Sequence, residues 1–500
     1  MTAVPSSPDS RQELEALLRS RVPLVVIETY DEPRALEMLA ALSPRLAAAH
    51  TPVFQWTCTD GLRRLDVNLG GAQQHNAEPA AVLKSIRASS VAGIYILLDF
   101  HPFLTDPVHV RLLKDICQDY DRTARTIVLI SAEIVLPREL EHLAARYRLA
   151  FPDRTERRAI IEKVAGDWTR THGDKVRTDR KSLELLIENL AGLSVSDTER
   201  LARQAIFNDG ALLPSDLPGV MQAKYELLNR GGVLSFEYDT AQFADLGGMT
   251  RLKEWLKLRK PAFDGSAPEL EVPKGVLLLG VQGCGKSVAA RAAAGIYGVP
   301  LLRLDFGAIH NKYIGESERN LRETLATASV MAPCVLWIDE IEKGLATGDS
   351  DSGTSQRLLG GFLTWLAERR SKTFVVATAN DIAALPPELI RKGRFDEIFF
   401  VDLPDAATRA EILRIHARKR SLQLADTDVT QLAASCDGFS GAEIEQAVVS
   451  AVYAAHAAGR TVGAPDILRE IKATRPLSVV MAERVAELRE WAAERTVPAN

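Results

Sequence analysis

The octapeptide Gly280-Val281-Gln282-Gly283-Cys284-Gly285-Lys286-Ser287 follows the apolar run VLLL, and Val288 with AARAAAGIY continues from it in a helical pattern. Phosphate groups carry dense negative charge, so backbone N–H groups must curl around them, and glycines permit that close approach. The start of the following helix adds its positive end. In such a loop Lys286 contacts the outer phosphates as a point charge and Ser287 supplies an oxygen to Mg²⁺.

A second element, Val335-Leu336-Trp337-Ile338-Asp339-Glu340, is an apolar strand that ends in two carboxylates. Asp339 is placed to hold Mg²⁺ through water, and Glu340 to orient and activate an attacking water. A third, Thr378-Ala379-Asn380, ends another strand in an uncharged amide suited to positioning the same water, although Asn380 taken alone reads more readily as a helix cap or turn former. Arg391 and Arg394 in LIRKGRFDE have no evident role for their charges within one subunit. An arginine donated by a neighbouring subunit neutralises transition-state charge in phosphoryl transfer; two solvated arginines are the plain alternative.

These groups need a sheet whose strand ends converge. GVLLLG, PLLRLDF, CVLWIDE, TFVVATAN and EIFFVDL are short β-rich apolar runs separated by helical stretches, the pattern of buried parallel strands. After about Ala406 the sequence becomes helical, which predicts a small helical subdomain. Upstream, VPLVVIE, VFQWT, IYILLDF, TIVLISA and YRLAFP repeat the strand plan, and PDRTERRAIIEKV resembles PDAATRAEILRIH in position and character. LSVSDTERLARQAI likewise stands where FSGAEIEQAVVSAV does later, so two related α/β units in tandem are expected. The break falls near residue 235, after the turn-like NRGGV. The expected organisation is therefore 1–232, 233–404 for the phosphate-binding α/β body, 405–475 for the helical lid and 476–500 for a helical tail.

With 500 residues, 46% hydrophobic and 25% charged, the composition is that of a globular protein of two or three domains. A net charge of -5 disfavours nucleic acid as the main partner. The five cysteines are scattered without CxxC pairs, which suits a reducing compartment. No run approaches eighteen apolar residues and the first residues are polar and acidic, so a cytoplasmic protein with no membrane association is expected.

Together these motifs resemble the AAA branch of the AAA+ ATPases over roughly Gln242 to Arg475. FADLGGMTRLKEWL is similar to its entry segment, LLLGVQGCGKS and VLWIDE to its Walker A and B motifs, TAN to sensor 1, and RKGRFD to its paired arginine fingers. HNKYIGESERNLRE resembles the first pore loop, and GFSGAEIE the lid segment that carries Gly441 and Ala442 in place of a sensor 2 arginine. The resemblance implies a P-loop AAA+ module with a helical lid that binds ATP with Mg²⁺, Asp245 and Gly247 lining the adenine site and His416 against the base or ribose. By its pattern alone, His416 reads as a packed core residue. The resemblance also implies a homo-oligomer, a hexameric ring, with Lys312, Tyr313 and Ile314 projecting into a central pore to pull on a protein substrate. The first half departs from the pattern: LVVIETYDEPRAL lacks Gly-Lys-Ser, and Asp99 in LLDFH lacks a following glutamate. That predicts a degenerate AAA-like domain without hydrolysis, in an arrangement that resembles an AAA family of cyanobacteria, plastids and other bacteria. An ATP-dependent assembly switch that threads nothing is the competing functional reading.

Overall fold

In the computed structural model the described residues are 10–46, 51–65, 76–229, 233–237, 247–306, 309, 316–345, 352–369, 371–382, 384–391 and 393–500. The chain divides into two compact units, one comprising Met1–Thr171 with Gly192–Arg203 and the other His172–Ala191 with Gln204–Asn500.

The first unit is built on a six-stranded sheet. Its strands are β1 (Leu24–Glu28), β2 (Val53–Thr57), β3 (Gly61–Arg64), β4 (Gly93–Leu98), β5 (Arg125–Ser131) and β6 (Ala144–Tyr147), in the order β3-β2-β4-β5-β1-β6. All pairings are parallel except that of β3 with β2. Alternate residues of β1 enter separate cores, Leu24 and Val26 on one face and Val25 and Ile27 on the other. A strand buried on both faces must be apolar throughout, which is why these runs show no polar alternation.

The second unit contains the short pair β7 (Arg177–Thr178) and β8 (Ala211–Leu212) and a seven-stranded sheet. The large sheet comprises β9 (Leu234–Glu237), β10 (Gly275–Gly280), β11 (Leu301–Leu304), β12 (Cys334–Ile338), β13 (Thr373–Ala379), β14 (Glu397–Val401) and β15 (Val497–Pro498), in the order β15-β14-β10-β13-β12-β11-β9. Its five central strands repeat the topology of the first unit: β11-β12-β13-β10-β14 corresponds to β2-β4-β5-β1-β6. The tandem arrangement expected from sequence is thus present as two sheets of one strand order.

Helix Lys286–Tyr297 lies on the β10 face through Ala289, Ala290, Ala292, Ala293 and Ala294, all buried with Val276 and Leu278. Small side chains let this helix approach the sheet closely, so the loop before it is held between two rigid elements. The lid begins where Asp405 caps helix Ala406–Lys419 by accepting from the Thr408 amide at 2.8 Å. Its own core gathers Leu413, Val429, Leu432, Ile444, Val448 and Ile467.

Some elements differ from the expected pattern. The last strand of the first unit is Ala144–Tyr147, which ends where YRLAFP begins, with Tyr147 paired to Ile27 next to the end of β1. Edge strands β3, β9 and β15 are only four, four and two residues long, too short for a pattern to announce them, and β15 follows helix Ala482–Ala493 in the segment expected to be helical.

Gly280 ends β10 at φ +148°, and a Cβ there would be driven into the Val401 carbonyl of β14. Gly360, in helix Ser352–Glu368, has open space where a Cβ would go. Gly280→Ala is therefore expected to lose roughly 2–4 kcal/mol in urea unfolding. Gly360→Ala is expected to gain about 0.5–1 kcal/mol in the same measurement.

Candidate functional site

The strand ends of β10, β12 and β13 and the lid surround a cleft of about 610 Å³. Gln282, Gly283, Cys284, Gly285, Lys286, Ser287 and Val288 line one wall. Gly283 and Gly285 take φ +78° and +91°, the left-handed values that turn successive amides inward. Asp339, Glu340, Thr378 and Asn380 line it as well, and Gly247, His416, Gly441 and Ala442 complete the cleft. Residues scattered over some two hundred positions of sequence thus meet at one place.

Lys286 is 6% exposed, and its Nζ donates to the carbonyls of Gly280 and Val281, both at 2.8 Å. Burial pulls its pKa down to about 8, against the raising effects of nearby acidic groups. A desolvated ammonium held beside a loop of inward amides is suited to an anionic ligand. Ser287 and Asp339 offer oxygen donors of the kind a hard cation such as Mg²⁺ takes, so the residues present fit a nucleotide with Mg²⁺.

The carboxylates are fixed by groups the sequence did not single out. Thr378 Oγ1 donates to Asp339 Oδ1 at 2.8 Å and accepts from the Glu340 amide at 3.1 Å, so one hydroxyl aligns both acidic residues. Arg303, over the Trp337 ring, pairs with Asp339 Oδ2 at 3.2 Å. Glu340 adopts φ +48°, an uncommon conformation for a residue with a side chain. Asn380 Nδ2 donates to Glu340 Oε1 at 2.9 Å, and Lys343 meets Glu340 Oε2 at 2.5 Å. The Asn380 amide donates to Glu342 at 2.9 Å; burial raises the pKa of that carboxyl. Thr378 was legible only as part of TAN, and nothing in the sequence placed Arg303, Glu342 or Lys343 here.

On the lid side, the Ala442 amide donates to the Gly283 carbonyl at 3.0 Å, tying the start of helix Gly441–Ala457 to the loop. Ser440 caps that helix in a reciprocal box with Glu443. A Cβ at Gly283 would stand 3.0 Å from Ser440 Oγ and 3.2 Å from Ala442 Cβ, so a small residue is needed where lid meets loop. His416 lies 3.3 Å from Glu445, and burial lowers its pKa, which favours the neutral ring.

Other expected residues are elsewhere. Arg394 Nη1 donates to the Leu363 carbonyl at 2.6 Å, and neither Arg391 nor Arg394 lines the cleft. Asp245 and the segment Lys312, Tyr313 and Ile314 lie outside the described residues. No helix among the described residues is long and apolar enough to cross a membrane.

Residues 276–403 match the family profile described as ATPase family associated with various cellular activities (AAA), and 426–467 match the AAA+ lid domain. Residues 10–149 match the N-terminal domain, and 155–231 the second domain, of SpoVK-like AAA ATPases. The AAA domain-containing protein ycf46 of Guillardia theta is 33% identical over 488 residues, which cover 96% of this chain and 94% of that protein. Its namesake in Pyropia yezoensis is 34% identical over 491 residues, covering 97% of each. The proteasome-activating nucleotidase of Aeropyrum pernix is 30% identical over 380 residues, covering 73% of this chain and 87% of that one.

The lowered pKa of Lys286 has a sign that can be tested. A phosphate beside Nζ favours the ammonium and raises its pKa, so nucleotide binding above pH 8 draws a proton onto the lysine. Affinity should fall about tenfold between pH 7 and pH 9. Titration calorimetry at pH 9, in two buffers of different ionisation enthalpy, should register the uptake. Affinity independent of pH, without uptake, would contradict the assignment.

Proposed function

The chain belongs to the AAA ATPases, in the family of the ycf46 AAA domain-containing proteins, and from that premise we propose that it hydrolyses ATP in the cleft of the second unit and uses the energy to remodel a protein substrate. The observation that carries this reading is the contact of Asn380 Nδ2 with Glu340 Oε1 at 2.9 Å, in the cleft that the buried Lys286 also lines. The contact supports Glu340 as the carboxylate that activates water and Asn380 as the amide that fixes its direction, in the cleft that the loop Gln282 to Val288 also lines.

In this reading Gln282 to Val288 hold the phosphates through backbone amides and Lys286 neutralises the outer ones. Gly247, His416, Gly441 and Ala442 enclose the base and ribose; Asp245 joins them. Ser287 and Asp339 would hold Mg²⁺, which would supply positive charge beside the phosphates. Glu340 takes the proton of the attacking water, and Asn380 orients both. The Ala442 to Gly283 hydrogen bond gives the lid a direct connection to the loop that senses the phosphates. A change of charge in the cleft therefore becomes a change of lid position.

Arg391 and Arg394 line no part of the cleft. We assign them to the site of a neighbouring copy in a ring, six copies being the family's usual number, with Lys312, Tyr313 and Ile314 gripping the substrate at its centre. The proteasome-activating nucleotidase to which the chain is similar supports a polypeptide as that substrate.

Glu340→Gln should bind ATP as tightly as the wild type while turnover falls by about a hundredfold or more. Steady-state phosphate release and nucleotide binding measure the two effects; turnover within a few-fold of wild type would remove Glu340 from the role given to it. Tyr313→Ala should keep ATP turnover and lose substrate remodelling. If both survive, ATP drives assembly without threading.

A further inference from the structure

The first unit contains a larger cleft, about 1280 Å³ against the 610 Å³ of the nucleotide site. Two of its borders correspond to those of the nucleotide site. The chain leaving β1 forms its floor through Asp31 and the start of helix Glu32–Leu46, as the loop after β10 does in the second unit. The first turn of helix Val195–Phe207 borders it as Gly441 and Ala442 border the other.

Its chemistry is reversed. Asp31 is 5% exposed, and its Oδ2 accepts from the Val195 amide at 2.9 Å. The helix start that would attract a phosphate already holds a carboxylate, and Glu32 adds another in the first turn of the helix after β1. Glu13, Asp31, Glu37, Asp153, Glu156 and Glu199 all line the cleft. Three basic residues stand against these six. Arg34 is taken up by Glu156 at 3.1 Å and the Ala150 carbonyl at 2.6 Å, and Lys163 pairs with Glu199 at 3.4 Å. Arg11, the third, also lines the cleft. Exposed Glu13 and Glu37 have no cationic partner among the described residues. Beside the carboxylates the Phe151 ring is 55% exposed, and Met38, Ala41 and Pro33 supply apolar lining.

We propose that this cleft binds a basic polypeptide segment, its lysine or arginine side chains reaching Glu13 and Glu37 while their methylenes and guanidinium planes rest on Phe151. Carboxylates beside an exposed aromatic face favour a long side chain with a cationic end, through charge and through cation–π attraction. The volume exceeds that of a nucleotide-sized cleft and suits several residues of extended chain. A phosphate-bearing ligand meets carboxylates at both helix starts and is repelled. The site belongs wholly to the first unit, so the proposal stands whether or not the second unit threads its substrate.

The test uses the full chain and a short fluorescein-labelled peptide of alternating arginine and serine, read by fluorescence anisotropy. The wild type should bind it saturably and more weakly as salt rises, and should ignore the glutamate–serine counterpart. Glu13→Lys with Glu37→Lys, both at exposed positions, should weaken binding at least about tenfold while ATP turnover without peptide is unchanged. Phe151→Ser should weaken it without altering the salt dependence. Equal peptide binding by the charge-reversed chain would overturn the proposal, as would spermine binding at the same site as tightly as the peptide. Nucleotide occupying this cleft in a Lys286→Ala chain would also overturn it.

Discussion

A lysine ammonium kept nearly dry, with no anion among the described residues bonded to it, is the interaction on which the second unit is organised. Lys286 gives its protons to two carbonyls of its own loop, and burial has already drawn its pKa down to about 8. Such a group is unfavourable in the empty cleft and favourable beside a phosphate. Holding it there requires a rigid loop, and the loop is rigid because β10 lies between β13 and β14 while the alanine face of helix Lys286–Tyr297 packs on the sheet. The carboxylates opposite are likewise fixed from behind, Asp339 and Glu340 both by the hydroxyl of Thr378.

The two units show what one strand order does with opposite charge. Each unit has a cleft bordered by the chain that follows one central strand, β1 or β10, and by the start of a later helix, Val195–Phe207 or Gly441–Ala457. In the second unit glycines turn backbone amides and Lys286 toward that point; in the first, Asp31 fills the helix start and further carboxylates surround it. A helix start stabilises either a bound anion or a carboxylate of the chain. The choice between them converts a nucleotide site into one suited to cations, with little change of backbone plan.

Much of this was legible in the sequence, for physical reasons that also mark where legibility stopped. Strands buried on both faces are written as unbroken apolar runs, so β1, β2, β4, β5 and β10 through β14 could be read directly. The phosphate loop was legible because its glycine spacing and lysine serve one chemistry in consecutive residues. Edge strands β3, β9 and β15 were not, since an edge strand is paired on one side alone and its short sequence need not be apolar. Arg303 and Glu342 reach the site through tertiary packing that no local pattern encodes. The large cleft of the first unit was invisible for the same reason: its lining runs from Arg11 to Glu199, and only the fold brings those residues together.

On the proposed function, one cleft per chain holds ATP, and Lys286 is what makes it hold. Equilibrium binding of ATP with Mg²⁺ to the Glu340→Gln chain, which removes turnover from the measurement, tests this most directly. One ATP should bind per chain, and adding Lys286→Ala should abolish saturable binding. Two ATP per chain, or one that survives the loss of Lys286, would contradict the account.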